Sequence, residues 1–136
     1  MGHLKDRALK QSQVLKSRSE PADNPDLKPP VFSFEYLQQG YCVSDCSAEE
    51  RGGVLGKIRV LSQLTWQQLR QAPRHGLGYE IIDRSSLKPA IPLVVTEDVH
   101  LIAFRAIGMA PMVGFRFGRI FHVLWVDRAF TLYDHG

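Results

Sequence analysis

The side chains with the greatest chemical reach stand in the last third of the chain. Residues 101–136 carry four arginines (Arg105, Arg116, Arg119, Arg128), no lysine and two aspartates, interspersed with His122, Tyr133 and His135. A guanidinium is planar and bonds phosphate oxygens in pairs, so an arginine-only set fits phosphate recognition. Cleaving RNA without a metal needs a base for the ribose 2′-hydroxyl, cations on the scissile phosphate and an acid for the leaving oxygen. Arginine, histidine and tyrosine cover those roles. Arg105, Arg116, Tyr133 and His135 belong to the dispersed set that could supply them. His122 is a further acid/base candidate, since imidazole titrates near neutrality. Arg119, Trp125 and Arg128 are candidate RNA contacts, Trp125 by stacking a base. Each has a plainer role beside it: arginines decorating exposed strand positions, a hydrogen-bonded core histidine, a terminal His135, and Trp125 with Phe121 in a small core under the N-terminal strand.

Other chemistry finds no motif. Gly52-Gly53-Val54-Leu55-Gly56-Lys57 has the wrong spacing for a phosphate-binding P-loop, and neither G-x-S-x-G nor H-E-x-x-H occurs. Cys42 and Cys46 are the only cysteines. Their C-x-x-x-C spacing is neither the redox C-x-x-C pair nor a four-ligand zinc set, and two free thiols are expected, with a disulfide as the alternative. No metal and no cofactor is expected.

Positioning these residues takes strands. Val99–Ala106 reads as one, ended by Gly108 and Pro111, followed by Met112–Phe117, Ile120–Val126 and a short Phe130–Tyr133. Gly118-Arg119 is a two-residue hairpin turn with glycine first, the pattern of type II′. That turn pairs Phe117 with Ile120, Arg116 with Phe121, Phe115 with His122 and Gly114 with Val123. Strict alternation then gathers Val113, Phe115, Phe117, Ile120, His122, Leu124 and Val126 on one face, expected to pack on helices. The opposite face gathers Met112, Gly114, Arg116, Phe121, Val123, Trp125 and Asp127, expected to bind. Arg105 alternates with Leu101 and Ala103, but its face depends on register.

Upstream, Val31–Leu37 alternates as a half-buried strand, and Tyr41–Val43 extends or repeats it. Ser47-Ala48-Glu49-Glu50 and Thr65-Trp66-Gln67-Gln68 are capping boxes that start two helices. The first carries the stripe Val54, Leu55, Ile58, Leu61, Leu64; its glycines allow another backbone close. The second is anchored by Trp66 and Leu69 and stopped by Pro73. Tyr79–Asp83 is a short strand and Ser85–Pro92 an irregular connection. Helices segregated from an antiparallel sheet make the class α+β: an N-terminal strand, two helices, then a meander of three to four strands.

Length, at 136 residues, fits one domain. Residues 1–30 read as a flexible basic, proline-rich tail and 31–136 as the domain. The net charge of +3 divides unevenly: five Lys/Arg against Asp6 in residues 1–19, and four acids with no Lys or Arg in 31–50. No apolar run approaches the ~20 residues that cross a bilayer. The first twenty residues lack the apolar stretch of a secretory leader, so a cytoplasmic location is expected.

A first strand, two consecutive helices and a meander bearing arginines on adjacent strands and ending in Tyr133 and His135 resembles the RelE/ParE/HigB-like toxins of bacterial toxin–antitoxin systems. The end FHVLWVDRAFTLYDHG is also similar to the ends of small bacterial proteins with a W-x-D…LY pattern. The resemblance implies a sheet with helices on one face and a concave RNA-facing side. It also implies metal-independent endonucleolytic mRNA cleavage, often on the ribosome, and neutralisation by an antitoxin protein. On it, Arg105, Arg116, Tyr133 and His135 become the phosphate-binding and acid/base residues. The alternative from the residues alone is a non-enzymatic protein-interaction module, or a small-ligand binder, using the Trp125/Arg116 face.

Overall fold

The computed structural model describes residues 23–73 and 76–134. Strand β1 (Val31–Ser33) leads to helices α1 (Ala48–Leu61) and α2 (Trp66–Gln71), then to β2 (Tyr79–Ile82), β3 (Leu101–Ile107), β4 (Ala110–Phe117) and β5 (Ile120–Val126). The class is α+β. The sheet has five strands in the order β1-β5-β4-β3-β2. β2 to β5 form an antiparallel meander, and β1 closes the far edge parallel to β5, with Val31 opposite Ile120. The sheet is therefore mixed and larger than the meander alone. Among the described residues no helix is long and apolar enough to cross a membrane.

Both helices start where their caps dictate. The Ser47 hydroxyl accepts the Glu50 amide at 3.1 Å while the Glu50 carboxylate accepts the Ser47 amide at 2.7 Å. Thr65 and Gln68 exchange the same two bonds at 3.1 and 2.9 Å. Each pair satisfies amides that have no partner inside the helix. α1 buries Val54 and Leu61, with Ile58 half-buried, at helical spacing. Leu55 lies one residue, about 100°, off that stripe and is exposed rather than part of it. Of the three glycines in α1, Gly53 is the one that faces another backbone: a Cβ there would lie 3.6 Å from the Ala106 carbonyl on β3.

The β4–β5 hairpin has the expected register: Phe117 pairs with Ile120, Arg116 with Phe121, Phe115 with His122 and Gly114 with Val123. Gly118 takes φ +61° and Arg119 does not take positive φ, as a type II′ turn requires. A second two-residue turn, Gly108-Met109 with Gly108 at φ +56°, joins β3 to β4. Pro111 does not end a strand. It sits inside β4 opposite Arg105, where a bulge at Ala106 relieves the need for its missing N–H.

Beyond Gly114 the strict alternation fails. Val113 pairs with Trp125, which leaves Leu124 as an extra, bulged residue. Leu124 and Trp125 therefore both reach one face, and Val126 moves to the other. The faces are also reversed from expectation. Met112, Phe121, Val123 and Val126 pack beneath α1 and α2 with Trp66, Leu69, Ile102 and Phe104. Val113, Phe115, Leu124 and Trp125 form a second core with Leu101, Ala103, Leu132 and Tyr133. The second core is covered by Tyr36 and Tyr41 from the segment after β1, and by Leu87, Ile91, Val95 and Val99 from the 83–100 connection. Arg84 holds that connection closed by donating to the Thr96 and Val99 carbonyls.

Other elements are shorter than alternation suggests. β1 stops at Ser33; the chain then runs beside β5 as irregular backbone, Gln38 donating to the Leu124 carbonyl at 2.8 Å and Tyr41 accepting from Val126 at 2.8 Å. Val43–Asp45 is a 3-10 turn and not an extension of β1, and Arg84–Ser86 is another. The stretch expected as a strand from Phe130 to Tyr133 is a turn. The buried Asp127 carboxylate accepts the amides of Thr131 at 2.8 Å and Leu132 at 3.1 Å, and Phe130 is held at φ +57°.

Two glycines separate steric need from tolerance. A Cβ on Gly114 would lie 2.0 Å from the His122 carbonyl, opposite the bulge. Gly114→Ala is expected to lower unfolding free energy by about 3 kcal/mol or more. Gly56 faces open space within α1, so Gly56→Ala is expected to raise it by about 0.5–1 kcal/mol. Urea denaturation of the two variants checks both signs.

Candidate functional site

The eight candidate residues do not converge on one place. Arg105 and Tyr133 come together, with Trp125 in the same second core and His122 stacked against it; Arg116 and Arg119 come together elsewhere, and Arg128 stands apart. His135 lies outside the described residues.

Arg105 projects to the side of the second core. Its guanidinium donates to Glu80 at 3.1 Å and to the Met109 carbonyl at 2.9 Å. Tyr133 lies within electrostatic reach of both Arg105 and Glu80. Burial pushes its phenol above the usual tyrosine range, Glu80 adds to that, and Arg105 partly offsets it. This group ties β2, β3 and the C-terminal turn together. Its residues are mostly covered, and its arginine is already matched by a carboxylate.

Arg116 projects to the opposite face. Five residues separate it along β4 from Pro111, the partner of Arg105, a distance of about 17 Å at strand spacing. Its guanidinium lies over the Trp66 ring, 4.4 Å from the centroid, a cation–π contact worth ~0.5–2 kcal/mol. It also donates to the Gly118 carbonyl at 2.7 Å and to the Asp26 carboxylate. Arg70 on α2 approaches the other oxygen of Asp26 at 3.7 Å. Arg119, in the hairpin turn, donates from Nε to the Pro29 carbonyl at 3.0 Å. Lys28 pairs with Asp23.

Residues 23–30, assigned by their prolines to the tail, thus dock against the end of the hairpin. Trp66 fixes both partners: its backbone amide donates to Lys28 at 3.1 Å and its indole Nε1 to the Arg119 carbonyl at 3.0 Å. Among the described residues, four cations (Lys28, Arg70, Arg116, Arg119) meet two carboxylates (Asp23, Asp26) at one end of the sheet, an excess of two positive charges there. Sequence reasoning found Arg116 and Arg119 but missed Arg70 and Asp26. Their one signal was local: Arg70 lies four residues after Trp66, one helical turn away on the same face.

The remaining candidates have other surroundings. Trp125 is 1% exposed within the second core and offers no face to a base. His122 stacks on Phe115 at 4.9 Å and touches Tyr36 at 5.0 Å; its Nδ1 is buried without a hydrogen-bond partner, so packing rather than the expected hydrogen bond places the ring. Arg128 donates to Glu50 at 2.9 Å across the start of α1; the Ser47 amide foremost, and Arg128 after it, hold that carboxyl below the usual range. Arg128 lines a cleft of about 290 Å³ with Gly40, Tyr41, Asp45, Asp127 and Thr131. Cys46 is buried, Cys42 is half-buried, and both are free thiols. Hydrogen bonding to Ser44 lowers the Cys42 thiol's pKa, while burial raises that of Cys46. Among the described residues no group of three or more His, Cys, Asp or Glu side chains is placed to hold a metal ion.

No family model, curated protein or solved structure matches this chain. Its candidate site is therefore argued from geometry. Among the described residues the hairpin-end arginines converge from three elements and outnumber the carboxylate bonded to them, and their chemistry is anion binding.

The Tyr133 cluster makes a separate prediction. The folded chain holds the phenolic proton more tightly than the unfolded chain. Above the ordinary tyrosine pKa of about 10 the unfolded state then binds fewer protons, and stability falls as pH rises. Tyr133→Phe is expected to flatten that alkaline decline. Denaturation midpoints measured from about pH 9 to about pH 11 check it; an unchanged slope contradicts the assignment.

Proposed function

We propose that this chain is an RNA-binding effector of the RelE-like toxin kind, gripping single-stranded RNA by its phosphates at the end of the β4–β5 hairpin. The observation that carries the reading is the convergence of Arg70, Arg116 and Arg119 from α2, β4 and the hairpin turn onto one corner, with positive charge in excess. Guanidiniums on three rigid elements suit an extended phosphate backbone. The element order supports the same reading: a first strand, two consecutive helices and an antiparallel meander. The partner is RNA, free or ribosome-bound, with an antitoxin-like protein as the natural regulator.

This reading moves the RNA from the sheet face to the sheet end, because both faces are covered by packed side chains. It also separates binding from cleavage. Arg116 serves the phosphate, while Arg105 and Tyr133 brace the fold about 17 Å away along the strands. A second reading is favoured by one feature of the same corner. Phe117, at the hairpin tip, is 73% exposed, as an anchor for a protein partner would be.

Growth and RNA affinity test the proposal together. Inducing the wild-type chain in bacteria is expected to arrest growth. Arg70→Ala with Arg119→Ala, folded by circular dichroism, is expected to abolish arrest and weaken binding of a short single-stranded RNA about tenfold or more. The salt dependence of binding is expected to become shallower by roughly one unit of log–log slope per phosphate contact removed. Unimpaired growth, or affinity indifferent to the two arginines, overturns it. If Phe117→Ala alone removes the phenotype while RNA affinity is unchanged, the protein-partner reading takes its place.

A further inference from the structure

The segment that ends at β1 is built in two parts. Residues 28–31 are anchored: Lys28 accepts from the Trp66 amide, Pro29 accepts from Arg119, Pro30 is buried, and Val31 donates to the Arg119 carbonyl at 3.0 Å. The 3-10 turn before them, Pro25–Leu27, buries no residue. Its shape is set locally. Asn24 caps it by accepting the Asp26 amide at 3.0 Å, and Pro25 fixes the first φ. The turn lies against α2, and the charge it presents there is one carboxylate, Asp26, whose two oxygens face Arg116 and Arg70.

A carboxylate held between two guanidiniums occupies the place a phosphate would take, since the same donors serve both anions. We infer that the Asp26 carboxylate marks a phosphate subsite, and that residues 23–27 are an autoinhibitory strap which a phosphodiester of single-stranded RNA displaces. The inference rests on the RNA-binding reading above and adds its regulation.

The magnitudes favour a strap that lifts. The side chains of Asp26 and Arg70 are 31% and 56% exposed. The Arg70 pair, long and accessible, is weak and weaker still at higher salt, and the Arg116 pair, its guanidinium 23% exposed, is the firmer hold that a phosphate must replace. The Pro25–Leu27 turn lies against α2 but buries no residue fully, Leu27 staying 59% exposed, whereas the anchored residues keep the strap's end fixed beside the site. An incoming phosphodiester inherits donors already oriented: Arg116 by the Trp66 ring and the Gly118 carbonyl, Arg70 by α2. Lifting the strap exposes no unpaired backbone in the core.

The test uses the full chain and a short fluorescein-labelled oligouridylate, followed by anisotropy. Asp26→Asn keeps the turn's shape and removes its charge. It is expected to tighten binding about threefold to tenfold, and Arg70→Ala placed on it is expected to return the affinity to the wild-type level or below. Hydrogen exchange on the wild type gives a second readout. At saturating RNA the Leu27 amide, bonded to Asn24 in the free protein, is expected to exchange faster, while the Val31 amide stays protected. Equal affinity of wild type and Asp26→Asn, or slower exchange at Leu27 with RNA bound, overturns the strap and leaves the RNA-binding reading standing. If neither protein binds the oligouridylate, the RNA-binding reading fails and the strap with it.

Discussion

Trp66 is the residue on which the arrangement depends. It is 1% exposed and meets Phe104, Phe121 and Tyr79 at ring separations of 6.1 Å, so one indole joins β2, β3 and β5 beneath α2. Its two N–H groups are spent outside the helix, one on Lys28 and one on the hairpin turn at Arg119. Its ring face carries Arg116. The same side chain thus closes the core, fixes the hairpin end and aims the arginine on which the functional reading rests. A buried indole with its N–H satisfied is stable in this role, because neither its apolar surface nor its donor is left in water or left unpaired.

The second constraint is the bulge at Leu124. By sending Leu124 and Trp125 to the same face it supplies the large side chains from which the second core is built. Gly114 opposite it has no Cβ because the His122 carbonyl occupies the space. With the second core in place, neither face of the sheet is open. A ligand is left the ends and edges; Arg128 and Arg105 reach the other end but are matched by Glu50 and Glu80, and Arg116 and Arg119 with Arg70 gather at the β4–β5 turn. Packing in this way selects the site: it removes Trp125 from use as a stacking platform and confines Arg105 to bracing Glu80 and Tyr133.

Local rules carried much of the fold. Both capping boxes, the Gly118-Arg119 turn, the first four hairpin pairs and the burial of Trp66 and Leu69 follow from neighbours in sequence, where a hydroxyl, a carboxylate or a glycine determines its own backbone. The misreadings come from long-range geometry. A one-residue bulge reverses alternation and leaves no mark in composition. Whether a mixed face meets helices or loops depends on chain segments about 50 to 90 residues away. The docking of residues 23–30 was hidden for the same reason: its prolines exclude regular structure, but its partners are Trp66, Arg116 and Arg119. Of the candidate site, Arg116 and Arg119 were legible as phosphate-binding types, while Arg70 and Asp26 emerge only when α2, the strap and the hairpin are brought together.

We propose that RNA meets this protein at the Trp66 corner and not on the sheet face. Two-dimensional amide NMR during titration with a short single-stranded RNA tests it most directly. The account predicts that shifts cluster at Asp26, Leu27, Arg70 and Arg116–Arg119, with the Trp66 indole N–H among them, and that Phe115, His122 and Trp125 stay unmoved. Shifts centred on Trp125 and its neighbours in the second core, with the hairpin end silent, would contradict it.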